Sequence, residues 1–285
     1  MRFGDSDESD NIEDRRGSSG GGIGGGTIGV GTLVLALVAW YFGFDPRPLL
    51  HNAANHPAAS QQSVQPAQES SREKQTRHFV AQVLGDTEKT WTAVLAPHGV
   101  RYTDPKLVLF RGATQTACGR GMAAMGPFYC PADQKVYLDL GFYDQLEGRF
   151  NAPGNAAQAY VIAHEIGHHV QNLLGISAKV DRARQNATSE RQSNALSVRL
   201  ELQADCFAGV WFNQANRRHP ILESGDIESV LTAASAIGDD TLQKESSGHV
   251  VPDSFTHGSS AQRMQWFRRG FDSGDIQACN TFSKR

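Results

Sequence analysis

The chain has 285 residues, 39% hydrophobic and 20% charged, which suits one sizeable globular domain with appendages. A formal net charge of −3, with both signs mixed along most of the sequence, provides no electrostatic footprint for DNA or RNA, so no nucleic-acid partner is expected.

Residues 1–22 run from the acidic DSDESDNIEDRRG into GSSGGGIGGG and are expected to form a disordered tail. From Ile23 to Phe44 there is no charged residue, and the run ends with Trp40 and Tyr41, residue types that settle at a membrane interface. A transmembrane helix over 23–44 is expected. The bulky AWYFGFDP at its end lacks the small residues of a signal-peptide cleavage site, which favours an uncleaved anchor. Arg15 and Arg16 precede the run and only Arg47 follows closely, so the expected topology is single-pass with a cytoplasmic N-terminus and the rest of the chain outside. Residues 45–71, rich in Pro, Ala, Gln and Ser, read as a flexible linker, and 72–285 as the folded domain.

Within that domain KLVLFRG and QKVYLDLGFY have the β-branched and aromatic content of strands. The segment GPFYCPADQKVYLDL, which includes the second run, is a candidate edge strand to which a substrate backbone could add, or a plain sheet segment. Four cysteines, Cys118, Cys130, Cys206 and Cys279, suit two disulfides in an oxidising compartment. The pairing adopted is Cys118 with Cys130 and Cys206 with Cys279, although three connectivities are open to sequence alone.

AAQAYVIAHEIGHHVQNLLG places apolar residues at spacings of three and four between Pro153 and Gly175, which predicts a largely buried helix. On it His164 and His168 lie four positions apart and project from one face, as neighbouring ligands of a tetrahedral zinc would. Such a zinc lowers the pKa of a water and polarises a scissile carbonyl, while Glu165 takes the proton and passes it to the leaving amine. His169 points about 100° away from His168 and is not expected to be a ligand. Gly167 costs helix stability unless it admits another element at close range.

A catalytic zinc needs a third protein ligand. The second predicted helix, NALSVRLELQADCFAGVWFNQ, carries Glu201 and Asp205 four apart on one face of an otherwise apolar element. Glu201 as ligand and Asp205 as acceptor from a ligand histidine's second N–H would give both carboxylates partners. Further along, FTHGSSAQRMQW offers His257 and Arg263 as candidate donors to the oxyanion of a tetrahedral intermediate. Tyr129, Tyr137 and Tyr160 are open as further donors.

HEIGH followed by ELQAD resembles the gluzincin arrangement, HExxH then ExxxD. The longer strings HEIGHHVQNLLG, ELQADCFAGVW and FTHGSSAQRMQWFRRGF resemble the neutral zinc metallopeptidase family of bacterial membrane-anchored proteins. That resemblance implies one zinc held by His164, His168 and Glu201, with Glu165 as general base and Asp205 behind His164. It also implies an α+β, zincin-like fold: a small sheet on the HExxH helix and a mainly helical C-terminal half. The expected partners are a protein or peptide substrate and the inner membrane, with the catalytic domain periplasmic or extracellular. A zinc-binding module without proteolysis and a zinc amidohydrolase acting on cell-wall peptide are the alternatives. Oligomeric state is not legible.

Overall fold

The computed structural model describes residues 1–4, 8–17 and 69–283. Its sheet begins where composition predicted disorder. Strand β1 (Ile12–Asp14) lies parallel to β2 (Lys106–Phe110), with Ile12 opposite Leu107 and Asp14 opposite Leu109. Leu107 N–H donates to the Asn11 carbonyl at 2.9 Å and Arg15 N–H to that of Leu109 at 2.8 Å. Met1 and Phe3 are buried in the core, Phe3 against Phe79. The disordered-tail expectation is therefore corrected for the described part of residues 1–22. The charges that suggested disorder pair within the fold, Arg15 with Glu13, Arg16 with Asp14, and Lys135 with Glu13. A few well-placed apolar residues suffice for docking, and average composition does not register them.

After β2 come the hairpin strands β3 (Ala113–Thr116) and β4 (Gly119–Met122), then β5 (Phe128–Cys130) and β6 (Lys135–Asp139). The sheet order is β1-β2-β6-β5, with β6 parallel to β2 and β5 antiparallel at the edge. The two runs predicted as strands, β2 and β6, are thus the sheet's centre. Leu107, Leu109, Val136 and Leu138 face the main core, while Val108, Phe110 and Tyr137 fill a smaller cluster on the other face. Burial on both faces explains why the sequence shows continuous apolar runs and no clean alternation.

Eight α-helices lie among the described residues: α1 (Ser71–Leu95), α2 (Gly141–Gly148), α3 (Asn155–Leu173), α4 (Ile176–Gln185), α5 (Glu190–Arg218), α6 (Asp226–Ala236), α7 (Asp239–Ser247) and α8 (Ser260–Ser273). Helix α1 starts at a capping box formed by Ser70 and Glu73, close to the expected domain start at residue 72. Met1–Arg16 and Ser70–Arg285 form one compact unit. The architecture is α+β with a small sheet and a mostly helical C-terminal half, as expected. The run 23–44 and residues 45–68 lie outside the described residues. Among those that are described, no helix is long and apolar enough to cross a membrane.

Helices α5 and α8 approach almost backbone to backbone. A Cβ at Gly209 would overlap the carbonyl oxygen of Phe267, and one at Gly270 would overlap that of Cys206. The Cys206–Cys279 disulfide ties the turn after α8 back to α5, and Cys118–Cys130 ties the β3–β4 hairpin to β5, which is the adopted pairing. Replacing Gly270 by alanine forces these helices apart. It should lower the unfolding free energy, read by urea denaturation, by about 1–3 kcal/mol, the usual cost of overpacking.

Candidate metal centre

Helix α3 is positioned by burial of Tyr160, Ile162, Ile166 and Val170, and it stops at Gly175, whose φ of 68° is left-handed. Gly167 faces α5 directly: a Cβ there would lie 2.9 Å from the carbonyl oxygen of Ala204 and 3.0 Å from its Cα. The missing side chain lets α5 settle against α3, which brings Glu201 and Asp205 to the two histidines.

His164 Nε2 lies 3.2 Å from His168 Nε2 and 3.2 Å from a Glu201 carboxylate oxygen, and the other Glu201 oxygen is 3.5 Å from His168 Nε2. Ligand atoms from these three residues all fall within 4.8 Å of one another. Two nitrogens bound tetrahedrally to one zinc at about 2.0–2.1 Å would stand roughly 3.4 Å apart, so the observed spacing fits that ion. The donor chemistry fits as well: two imidazoles and a carboxylate form a catalytic zinc set that leaves a position open.

Behind the histidines each ring is held by its other nitrogen. His164 Nδ1–H donates to Asp205 Oδ1 at 2.8 Å. Asp205 is fully buried and also accepts from the Tyr160 hydroxyl at 2.6 Å and from Arg263 Nε and Nη2, both at 2.9 Å. Burial alone would raise the Asp205 pKa, but Arg263 and His164 outweigh it and hold the carboxyl well below the usual range. Burial likewise pulls His164 down, yet Asp205 and Glu201 win and push the metal-free imidazole up to about 10. In the metal-free site these two carboxylates therefore favour the protonated His164 ring.

His168 Nδ1–H donates to Gln171 Oε1 at 2.9 Å. Gln171, fully buried, donates to the Leu200 carbonyl at 2.6 Å and to Gln203 Oε1 at 3.2 Å. Gln203 in turn donates to the Cys279 carbonyl at 3.0 Å. His169 is turned away from the other two: its Nε2–H donates to the Thr103 carbonyl and its Nδ1 accepts from Tyr129, which also accepts from Asn172. These bonds pin the edge strand β5 to α3.

The two histidines, Glu165 and Glu201 line a cleft of about 580 Å³, walled on its apolar side by Met125, Phe142, Phe150, Val161 and Leu242. Burial raises the Glu165 pKa, against the pull of His164 and His168. His257 also lines the cleft, its Nδ1–H donating to Asp239 Oδ1 at 3.2 Å. Asp239 Oδ2 accepts the backbone N–H groups of Thr256, His257 and Gly258 at 2.6–3.0 Å, so loop and ring are held together.

Arg263 departs from expectation. It is 2% exposed and its Nε and Nη2 are committed to Asp205 and Tyr160, so its charge serves the carboxylate behind His164 and not an oxyanion in the cleft. Tyr160 is bound to Asp205, and Tyr137 donates to Asp133 at 2.7 Å. Gln171, Gln203 and Asp239 were not singled out from sequence. The i, i+3 spacing of His168 and Gln171 was the one available signal.

A family model described as "Putative neutral zinc metallopeptidase" matches residues 1–282. The chain belongs to this family. The "Uncharacterized protein YpfJ" of Escherichia coli K12 is 52% identical over 292 residues, covering 100% of this chain and 99% of that one. The "Uncharacterized protein Rv2575" of Mycobacterium tuberculosis H37Rv is 43% identical over 201 residues, 67% of each chain. No solved structure matches.

As a family member with this donor set, the chain should bind zinc less tightly when His168 loses its support. Gln171→Leu should weaken affinity by about 10–100-fold in competition with a chromogenic chelator. Gln171→Glu, which keeps an acceptor for His168, should fall between that variant and the unaltered protein.

Proposed function

We propose that this chain is a membrane-attached zinc metallopeptidase that hydrolyses peptide bonds in protein or peptide substrates. The reading is carried by one observation, the convergence of His164, His168 and Glu201 donors beside Glu165 in an open cleft. His164 and His168 through Nε2, with Glu201 through its carboxylate, would hold the ion. When bound, zinc supplies Lewis acidity to the scissile carbonyl and to the attacking water.

The chain's own groups supply the rest. The Glu165 carboxylate accepts a proton from the attacking water and delivers it to the leaving amine nitrogen, a task suited to a carboxylate whose pKa is raised by burial. His257 lines the cleft and would donate from its doubly protonated ring to the carbonyl oxygen as negative charge grows, a form that the hydrogen bond to Asp239 favours by raising its pKa. Asp205 and Arg263 keep His164 in the Nδ1–H form. The outer edge of β5, unpaired among the described residues, offers backbone groups for an extended substrate, and the apolar wall suits its side chains. Membrane attachment rests on the uncharged run from Ile23 to Phe44.

The test is zinc content together with hydrolysis of an unstructured protein, using the full chain. Glu165→Gln should keep one zinc and lose about 10²–10⁴-fold in rate. His257→Ala should keep zinc and lose about 10²–10³-fold. A zinc-loaded, unaltered chain with no hydrolysis would instead assign a binding module, and cleavage confined to cell-wall peptides would assign the amidohydrolase.

A further inference from the structure

The chain enters its folded unit twice. Met1–Arg16 contributes β1 and buried apolar side chains, the chain leaves at Gly17, and it rejoins at Ser70. Between these points lies the uncharged run from Ile23 to Phe44, long enough to cross a bilayer once. A single crossing places its two flanks on opposite faces, separated by about 30 Å of hydrocarbon. Here the flanks are hydrogen-bonded to each other.

The contacts are specific and come from the sheet and from α1. The β1 backbone pairs with β2 through the Asn11–Leu107 and Leu109–Arg15 bonds, at 2.9 and 2.8 Å. Lys135 on β6 reaches Glu13 at 2.7 Å, and Ser9 N–H donates to the Ala81 carbonyl on α1 at 3.0 Å. The two arginines that would orient a single-pass helix are instead held by this folded unit, Arg15 paired with Glu13 and bonded to the Gln115 carbonyl, Arg16 largely buried and paired with Asp14. The family match also starts at residue 1, so this segment belongs to what the family shares. After Phe44 the sequence offers no second run of about 20 apolar residues before Ser70, and a return crossing requires one.

We propose that Met1–Arg16 and Ser70–Arg285 stand on the same face of the membrane, so that the run Ile23–Phe44 does not separate them by a single crossing. This arrangement differs from the opposite-sided, single-pass topology expected from charge counting. This assignment is independent of whether the metal centre is catalytic. The metal-centre cleft and the N-terminal strand then share one compartment, and the two disulfides suit an oxidising one.

The experiment uses the full chain in bacterial spheroplasts, with one added cysteine at an exposed position of each part, Asp10→Cys or Arg268→Cys. A membrane-impermeant maleimide is applied before and after lysis, the native cysteines being paired. The proposal expects both variants to be labelled in the same preparation, and in intact spheroplasts given the disulfides. Labelling of one before lysis and of the other only after it would overturn the proposal.

Discussion

The carboxylate of Asp205 is the constraint on which the rest of the site depends. It is fully buried, and a buried charge is tolerated only when paired and hydrogen-bonded. Its three partners come from two other helices, Tyr160 and His164 on α3 and Arg263 on α8, while Asp205 itself sits on α5. One charge thus fixes the mutual position of three helices and the tautomer of a metal-site histidine. Removing one member of such a buried set costs about 3–5 kcal/mol, because the others are left unpaired. Stability and the readiness of His164 Nε2 therefore depend on the same group.

Charge alone does not bring the helices close enough. Gly167 lets α5 approach α3, and Gly209 with Gly270 lets α8 approach α5, each at a distance that a methyl group would prevent. The Cys206–Cys279 disulfide then holds the end of the chain where the Cys279 carbonyl receives Gln203, which in turn supports Gln171 and His168. The two histidines are thus braced from different directions, one by an ionic pair and one by a neutral amide chain. The amide brace holds the His168 ring by Nδ1, while Glu201 beside Nε2 raises its pKa in the metal-free site against the effect of burial, and binding an ion there displaces that proton.

Much of this was legible in the sequence where periodicity and chemistry coincide. HEIGH on a 3.6-residue period, with Glu201 and Asp205 four apart on a second apolar helix, located the donor set, and β2 and β6 stood out as apolar runs. The N-terminal strand was hidden because Met1, Phe3 and Ile12 are outnumbered by charges that turn out to pair with one another. Asp239 was hidden for a different reason, since its link to His257 is tertiary and GDD carries no local signal. Arg263 stood out only as a candidate oxyanion donor, and its bonds to Asp205 depend on how α8 crosses α5, which only packing decides.

The most direct measurement on the central claim is the zinc K-edge absorption fine structure of the purified, zinc-loaded full chain. The account predicts a light-atom shell at about 2.0–2.1 Å with the multiple scattering of two imidazoles, and a carboxylate completing the protein ligands. A sulfur shell near 2.3 Å, or an imidazole count other than two, would contradict it.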